Sequence, residues 1–71
     1  SDGNAATPCG KVVWDDAGRA VWGFGKCKGL PLAGDRGFAA WVTRTAGFSP
    51  EVKALAARGA RGEDVRRGVK P

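Results

Sequence analysis

The feature that most constrains this fold is a pair of cysteines, Cys9 and Cys27, the only two in 71 residues. They lie on either side of a segment with the pattern of a β-hairpin, and seventeen residues separate them. An even number of cysteines in a short chain commonly forms disulfides. We therefore expect a disulfide between them that closes the hairpin. Loop-closure entropy gives such a bond about 3 kcal/mol of stabilisation.

The hairpin is predicted from a turn signal between two runs of β-forming residues. A three-residue loop within residues 15–19 pairs Val13 with Val21. A register shifted by two residues places Cys9 opposite Cys27 instead. A two-stranded ribbon must bury one face, so we interpret the aromatic face as core rather than as a platform for sugars or bases. In both registers that face carries Val12, Trp14, Ala20, Trp22 and Phe24.

The segment over residues 35–47 has two interpretations. Phe38, Trp41 and Val42 have helical spacing, and Asp35 precedes them as an N-cap. The same residues are rich in β-formers, so a third strand over 38–46 is the alternative.

A second helix begins more clearly. Ser49 is a good N-cap, Pro50 suits the first helical position, and Glu51 suits the positive end of a helix. Gly59 is expected to end this helix.

These elements predict one small α+β domain. It spans residues 9–60 and consists of the disulfide-closed hairpin, with a third strand as the alternative noted above, packed on one or two short helices. Residues 1–8 are expected to be a flexible lead, and residues 61–71 a basic, mobile tail.

The positive charge is concentrated beyond the hairpin. The formal net charge is +5, with −1 in residues 1–25, +3 in 26–50 and +3 in 51–71. A field of this sign attracts nucleic acid, phospholipid or an acidic protein. The alternative interpretation is ordinary solubilising charge. We predict that the basic side chains contact a partner, namely Lys26, Lys28, Arg36, Arg58, Arg61, Arg66 and Arg67.

The sequence argues against an enzyme and gives no cofactor or metal motif. There is no histidine, and two cysteines are too few for a tetrahedral zinc site in one chain. The adjacent acidic pairs, Asp15–Asp16 and Glu63–Asp64, lack the pattern of carboxylates that face each other across a cleft. No apolar run is long enough for a membrane span, and no segment has the pattern of a signal peptide. If the protein is exported, we therefore expect this sequence to be the mature form.

Three functions follow as expectations. The first is a small, secreted or periplasmic, non-enzymatic interaction protein of the effector, toxin, antimicrobial or inhibitor type, which presents a basic surface to an anionic or protein partner. The second is a nucleic-acid-binding protein that uses the basic C-terminal third. The third is a protease inhibitor that uses the loop over residues 26–32.

Overall fold

A two-stranded antiparallel hairpin and two helices form the frame of the molecule. The structure, a computed structural model, describes residues 5–68. The strands are β1 (Val12–Trp14) and β2 (Ala20–Trp22), and the helices are α1 (Arg36–Thr43) and α2 (Pro50–Ala60). The predicted α+β class is confirmed, and residues 38–43 are helical rather than a third strand.

The hairpin has the first of the two predicted registers. Val13 pairs with Val21. The backbone carbonyl of Asp15 accepts a hydrogen bond from Gly18 N–H at 3.0 Å, and Asp15 N–H donates to the carbonyl of Arg19 at 2.9 Å. Gly18 has φ +80°, which a glycine adopts without steric cost. The turn chemistry therefore sets the register.

Both edges of the hairpin are covered by segments that we predicted to be mobile. Ala5 bridges Val13 of β1, and Arg66 bridges Arg19 beside β2. Val65 is only 4% exposed. Residues on both sides of the predicted bounds at 9 and 60 therefore contact the hairpin. The parts of the predicted lead and tail at 1–4 and 69–71 lie outside the described residues.

The core lies between the hairpin and the two helices. The predicted aromatic face is its hairpin side: Val12, Ala20 and Trp22 are buried, while Trp14 and Phe24 are partly buried against them. The helices and the segment between β2 and α1 contribute the other buried apolar side chains, which include Leu32, Phe38, Val42, Val52 and Ala56.

Both predicted N-caps are confirmed. The Asp35 carboxylate accepts a hydrogen bond from Phe38 N–H at 3.0 Å, and the Ser49 hydroxyl accepts one from Val52 N–H at 3.3 Å. These bonds satisfy backbone donors that have no partner within the helix.

Gly59 does not end the second helix. It lies within α2 and is buried against Leu32, where a Cβ would stand 2.6 Å from the Leu32 carbonyl oxygen. The helix ends one residue later, at Ala60. Beyond that end, Glu63 N–H donates to the Arg58 carbonyl at 3.1 Å. The glycine allows a close approach between α2 and the segment that precedes α1.

The predicted Cys9–Cys27 disulfide is not supported, because both cysteines are unpaired. Cys9 lies in the turn between the Ala5 bridge and β1, and Cys27 lies in a loop that leaves the hairpin direction after Trp22. Trp22 N–H donates to the Leu30 carbonyl at 3.0 Å, so the chain returns on itself. This loop directs Cys27 to the core, whereas Cys9 is exposed.

Candidate functional site

An open groove of about 500 Å³ lies beside the first turns of α1. Trp41 in its wall is 42% exposed, and among residues 5–68 only Leu30, at 45%, is a large hydrophobic residue of similar exposure. The groove is lined by Lys26, Asp35, Gly37, Phe38 and Trp41. The wall is therefore apolar, with one basic and one acidic side chain at its margin.

The exposed Trp41 ring is held by a cluster of aromatic side chains. Its centroid lies 5.5 Å from that of Phe38 and 5.8 Å from that of Phe48. Phe38 in turn meets Trp22 edge-on at 5.1 Å, and Phe24 contacts both Phe38 and Phe48. Trp22 is fully buried. The groove wall is thus the outer end of an aromatic cluster whose inner end, Trp22, lies in the core. These ring contacts fix the position of Trp41.

The loop over residues 22–30 presents the basic side of the groove. Lys28 N–H donates to the Gly25 carbonyl at 3.2 Å, and Leu30 N–H donates to the Cys27 carbonyl at 2.9 Å. These two successive turns leave Lys26 and Lys28 exposed, while Cys27 between them is 2% exposed. The buried Cys27 side chain therefore anchors a loop whose two lysines face solvent.

Asp35 lines the groove, but its carboxylate is engaged in the fold. One oxygen accepts the Phe38 N–H, and the other accepts the Cys27 thiol proton at 3.7 Å. The Phe38 N–H and the positive charge of Lys26 lower the pKa of Asp35 below its usual value. Burial, followed by the negative charge of Asp35, raises the pKa of the Cys27 thiol. Asp35 therefore ties the start of α1 to the loop that carries Cys27, beside the groove.

The other predicted contact residues do not join this groove. Arg58 and Arg61 both pair with Glu63, at 3.1 and 2.6 Å, and Arg66 pairs with Asp64 at 2.9 Å. The structure thus divides the basic residues into separate groups, and Lys26 alone of the seven lines the groove.

The remaining two arginines also lie apart from it. Arg36 Nε donates to the Ala60 carbonyl at 3.0 Å, so its charge lies at the C-terminal end of α2. Arg67 lies beside the hairpin turn, where its Cβ is 3.9 Å from the position that a Cβ on Gly18 would take. Neither residue lines the groove.

The sequence pattern placed Trp41 only in the helical spacing with Phe38 and Val42 and did not identify it as a surface residue. The stripe of residues 38, 41, 42 and 45 is wider than the buried face of α1, which comprises Phe38, Ala39 and Val42. Trp41 lies at the flank of that face. A helical stripe wider than the core can cover is the signal that would have found it.

Two further searches of the described residues give no site. No group of three or more acidic, cysteine or histidine side chains within residues 5–68 is placed to hold a metal ion. In the same residues neither helix has the length and apolar character that crossing a bilayer requires.

Comparison with known proteins adds no relative. The chain matches no model of a known protein family, and searches of curated proteins and of solved structures find no similar chain.

Proposed function

We propose that this chain is a small non-enzymatic interaction protein that binds a protein partner through the groove beside α1. The observation that carries the proposal is the 42% exposure of Trp41 in the wall of that groove. Tryptophan is enriched among residues that dominate binding energy. The groove, of about 500 Å³, has room for one large side chain of a partner.

The fixed position of Trp41 supports a binding role over the alternative that its exposure has no function. Two neighbouring rings, Phe38 and Phe48, hold the indole at centroid distances of 5.5 and 5.8 Å. A side chain that is already ordered loses little conformational entropy when a partner covers it. The groove therefore presents an apolar contact that is preorganised for binding.

A secreted or periplasmic location belongs to the proposal, as does membership of the effector, toxin, antimicrobial or inhibitor class. The location was inferred from a Cys9–Cys27 disulfide. Because both thiols are unpaired in the structure, that support depends on the oxidation state of the two cysteines in solution.

The two alternative functions gain less support. The nucleic-acid interpretation relies on the basic C-terminal third, where acidic neighbours pair with Arg58, Arg61 and Arg66. The inhibitor interpretation relies on the loop over 26–32, but two hydrogen-bonded turns occupy residues 25–30, so this part of the loop is not extended. We therefore rank both below binding at the groove.

Selection from a random peptide display library tests the proposal. We expect the wild-type protein to enrich peptides that bind Trp41→Ala about thirtyfold more weakly or worse, as for a central aromatic contact. Leu30→Ala is the matched control, because Leu30 is equally exposed but does not line the groove. Urea unfolding of each variant separates lost binding from lost folding. Peptides that bind wild type and folded Trp41→Ala equally, or a selection that enriches none, would contradict the proposal.

A salt titration tests the nucleic-acid alternative separately. Phosphate contacts make the affinity fall steeply with salt concentration. A single-stranded oligonucleotide that binds with such a slope, and whose binding falls in Arg67→Gln but not in Trp41→Ala, would favour that alternative.

A further inference from the structure

Resting on the proposed function, we infer that the groove takes an acidic peptide segment in which an aspartate or glutamate neighbours a large apolar side chain. The apolar side chain packs against Trp41 and Phe38, and the carboxylate meets Lys26. Three observations support this inference, and they concern Lys26, Asp35 and the apolar wall of the groove.

The first observation is that Lys26 is a cation without an ion-pair partner among residues 5–68. It is close enough to Asp35 to lower the pKa of that carboxyl, yet no salt bridge joins the two side chains. Arg58, Arg61 and Arg66 differ, because each has an acidic neighbour at 3.1 Å or less. The groove thus has a positive charge available to a ligand.

The second observation is that the acidic member of the groove is already engaged. The two Asp35 oxygens accept hydrogen bonds from Phe38 N–H and from the Cys27 thiol. A cationic ligand at this carboxylate would be repelled by the positive charge of Lys26. Lys28, exposed two residues further along the loop, adds charge of the same sign. Charge complementarity therefore favours an anionic partner.

The third observation is the shape of the apolar wall. Phe38 and Trp41 offer an apolar surface, and a groove of about 500 Å³ has room for one large side chain. A nucleic-acid backbone needs a run of cations along its path. Of the arginines outside the salt bridges, Arg36 lies at the end of α2, Arg67 beside the hairpin turn and Arg44 at the C-cap of α1, and none of them lines the groove. A peptide that combines a carboxylate with an apolar side chain matches both parts of the groove.

Synthetic peptides of matched length test this inference. The probes are acetylated, amidated GSDEWEDGSG, its amide counterpart GSNQWQNGSG, and GSDEAEDGSG, which lacks the aromatic side chain. Binding to the ¹⁵N-labelled protein is followed by chemical shifts. We expect the acidic tryptophan peptide to shift Gly37, Phe38 and the Trp41 indole, and each other peptide to bind about fivefold more weakly or worse.

Charge-reversal variants separate local recognition from net attraction. Lys26→Glu and Arg67→Glu each replace one positive charge with one negative charge, so both lower the net charge from +5 to +3. We expect Lys26→Glu to weaken the acidic peptide about fivefold or more, and Arg67→Glu to change it by less than about twofold. Raising the salt from about 0.05 to about 0.5 M should also weaken the acidic peptide, since it shortens the screening length to a few ångströms.

The outcomes distinguish this inference from the proposed function. Equal binding of the acidic and amide peptides, or equal effects of Lys26→Glu and Arg67→Glu, would overturn the acidic specificity. Peptides from the display library that require Trp41 but carry no acidic residues would overturn it as well. In each case binding at Trp41 would leave the proposed function standing. Acidic-peptide binding that Trp41→Ala leaves unchanged would overturn both.

Discussion

Alkylation of the unreduced protein tests where the structure places Cys9 and Cys27. Cys9 is exposed, whereas Cys27 is 2% exposed and its thiol donates to Asp35. We expect one thiol label to enter the native protein quickly, at Cys9. The second label should enter at Cys27 only when the protein is unfolded in denaturant.

The size of the difference follows from burial. Stability of about 0.05–0.15 kcal/mol per residue gives a domain of this length about 4–11 kcal/mol. If Cys27 reacts only after global opening, its labelling is slowed by about a thousandfold or more. The hydrogen bond between the Thr7 and Cys9 side chains lowers the pKa of Cys9, while burial raises the pKa of Cys27. Because the thiolate is the reactive form, these shifts widen the difference near neutral pH.

Mass spectrometry with and without a reducing agent reads out the result. Cys9→Ser should remove the fast label and Cys27→Ser the protected one, which assigns each rate. A reducing agent should leave the free energy of unfolding unchanged, whereas loss of a disulfide of this loop length would lower it by about 3 kcal/mol. Two labels that enter the native protein at equal rates would refute the placement of Cys27. If the unreduced, denatured protein takes up no label, the two cysteines are paired in a disulfide. That result would contradict the unpaired cysteines of the structure and support export again.

Three further predictions concern the packing of α2 and the N-cap of α1. Gly59→Ala should lower the free energy of unfolding in urea by up to about 2 kcal/mol, because overpacking against Leu32 outweighs the gain in helix propensity. Gly37→Ala, where the nearest atom is 3.4 Å away, should be neutral or stabilising by up to about 1 kcal/mol, and a Gly59→Ala protein that is equally stable would contradict the close approach. Asp35→Ala should cost about 1 kcal/mol and Asp35→Asn less, because asparagine also caps helices; equal losses would contradict the capping role. The lowered pKa of Asp35 adds stability that is present above pH 3.8 and is lost as the pH falls through the folded value, so wild type and Asp35→Asn should converge in acid.

The features that sequence predicted best are those decided by neighbouring residues. The hairpin register follows from the turn over residues 15–19, where Asp15 and Gly18 fix the backbone. Likewise, Asp35 and Ser49 cap their helices through backbone donors only three residues away. Such interactions need no knowledge of the rest of the chain, so local pattern is sufficient.

The features that sequence missed depend on distant partners. Arg66 and Ala5 lie at opposite ends of the chain, yet both cover edges of the hairpin. Gly59 resembles a helix stop, but its lack of a side chain serves contact with Leu32, which is far away in sequence. Pairings of this kind leave no periodic signal, because each depends on where another segment packs.

One departure from the predicted path connects the cysteines to the groove. After Trp22 the chain does not continue along the hairpin, and the bond from Trp22 N–H to the Leu30 carbonyl closes a loop instead. This return buries Cys27, brings its thiol to Asp35 and places Lys26 at the margin of the groove. A chain that continued along the hairpin to bring the cysteines together would lose this Cys27–Asp35 contact. The same backbone path thus leaves Cys9 unpaired and places Lys26 beside Trp41 in the groove.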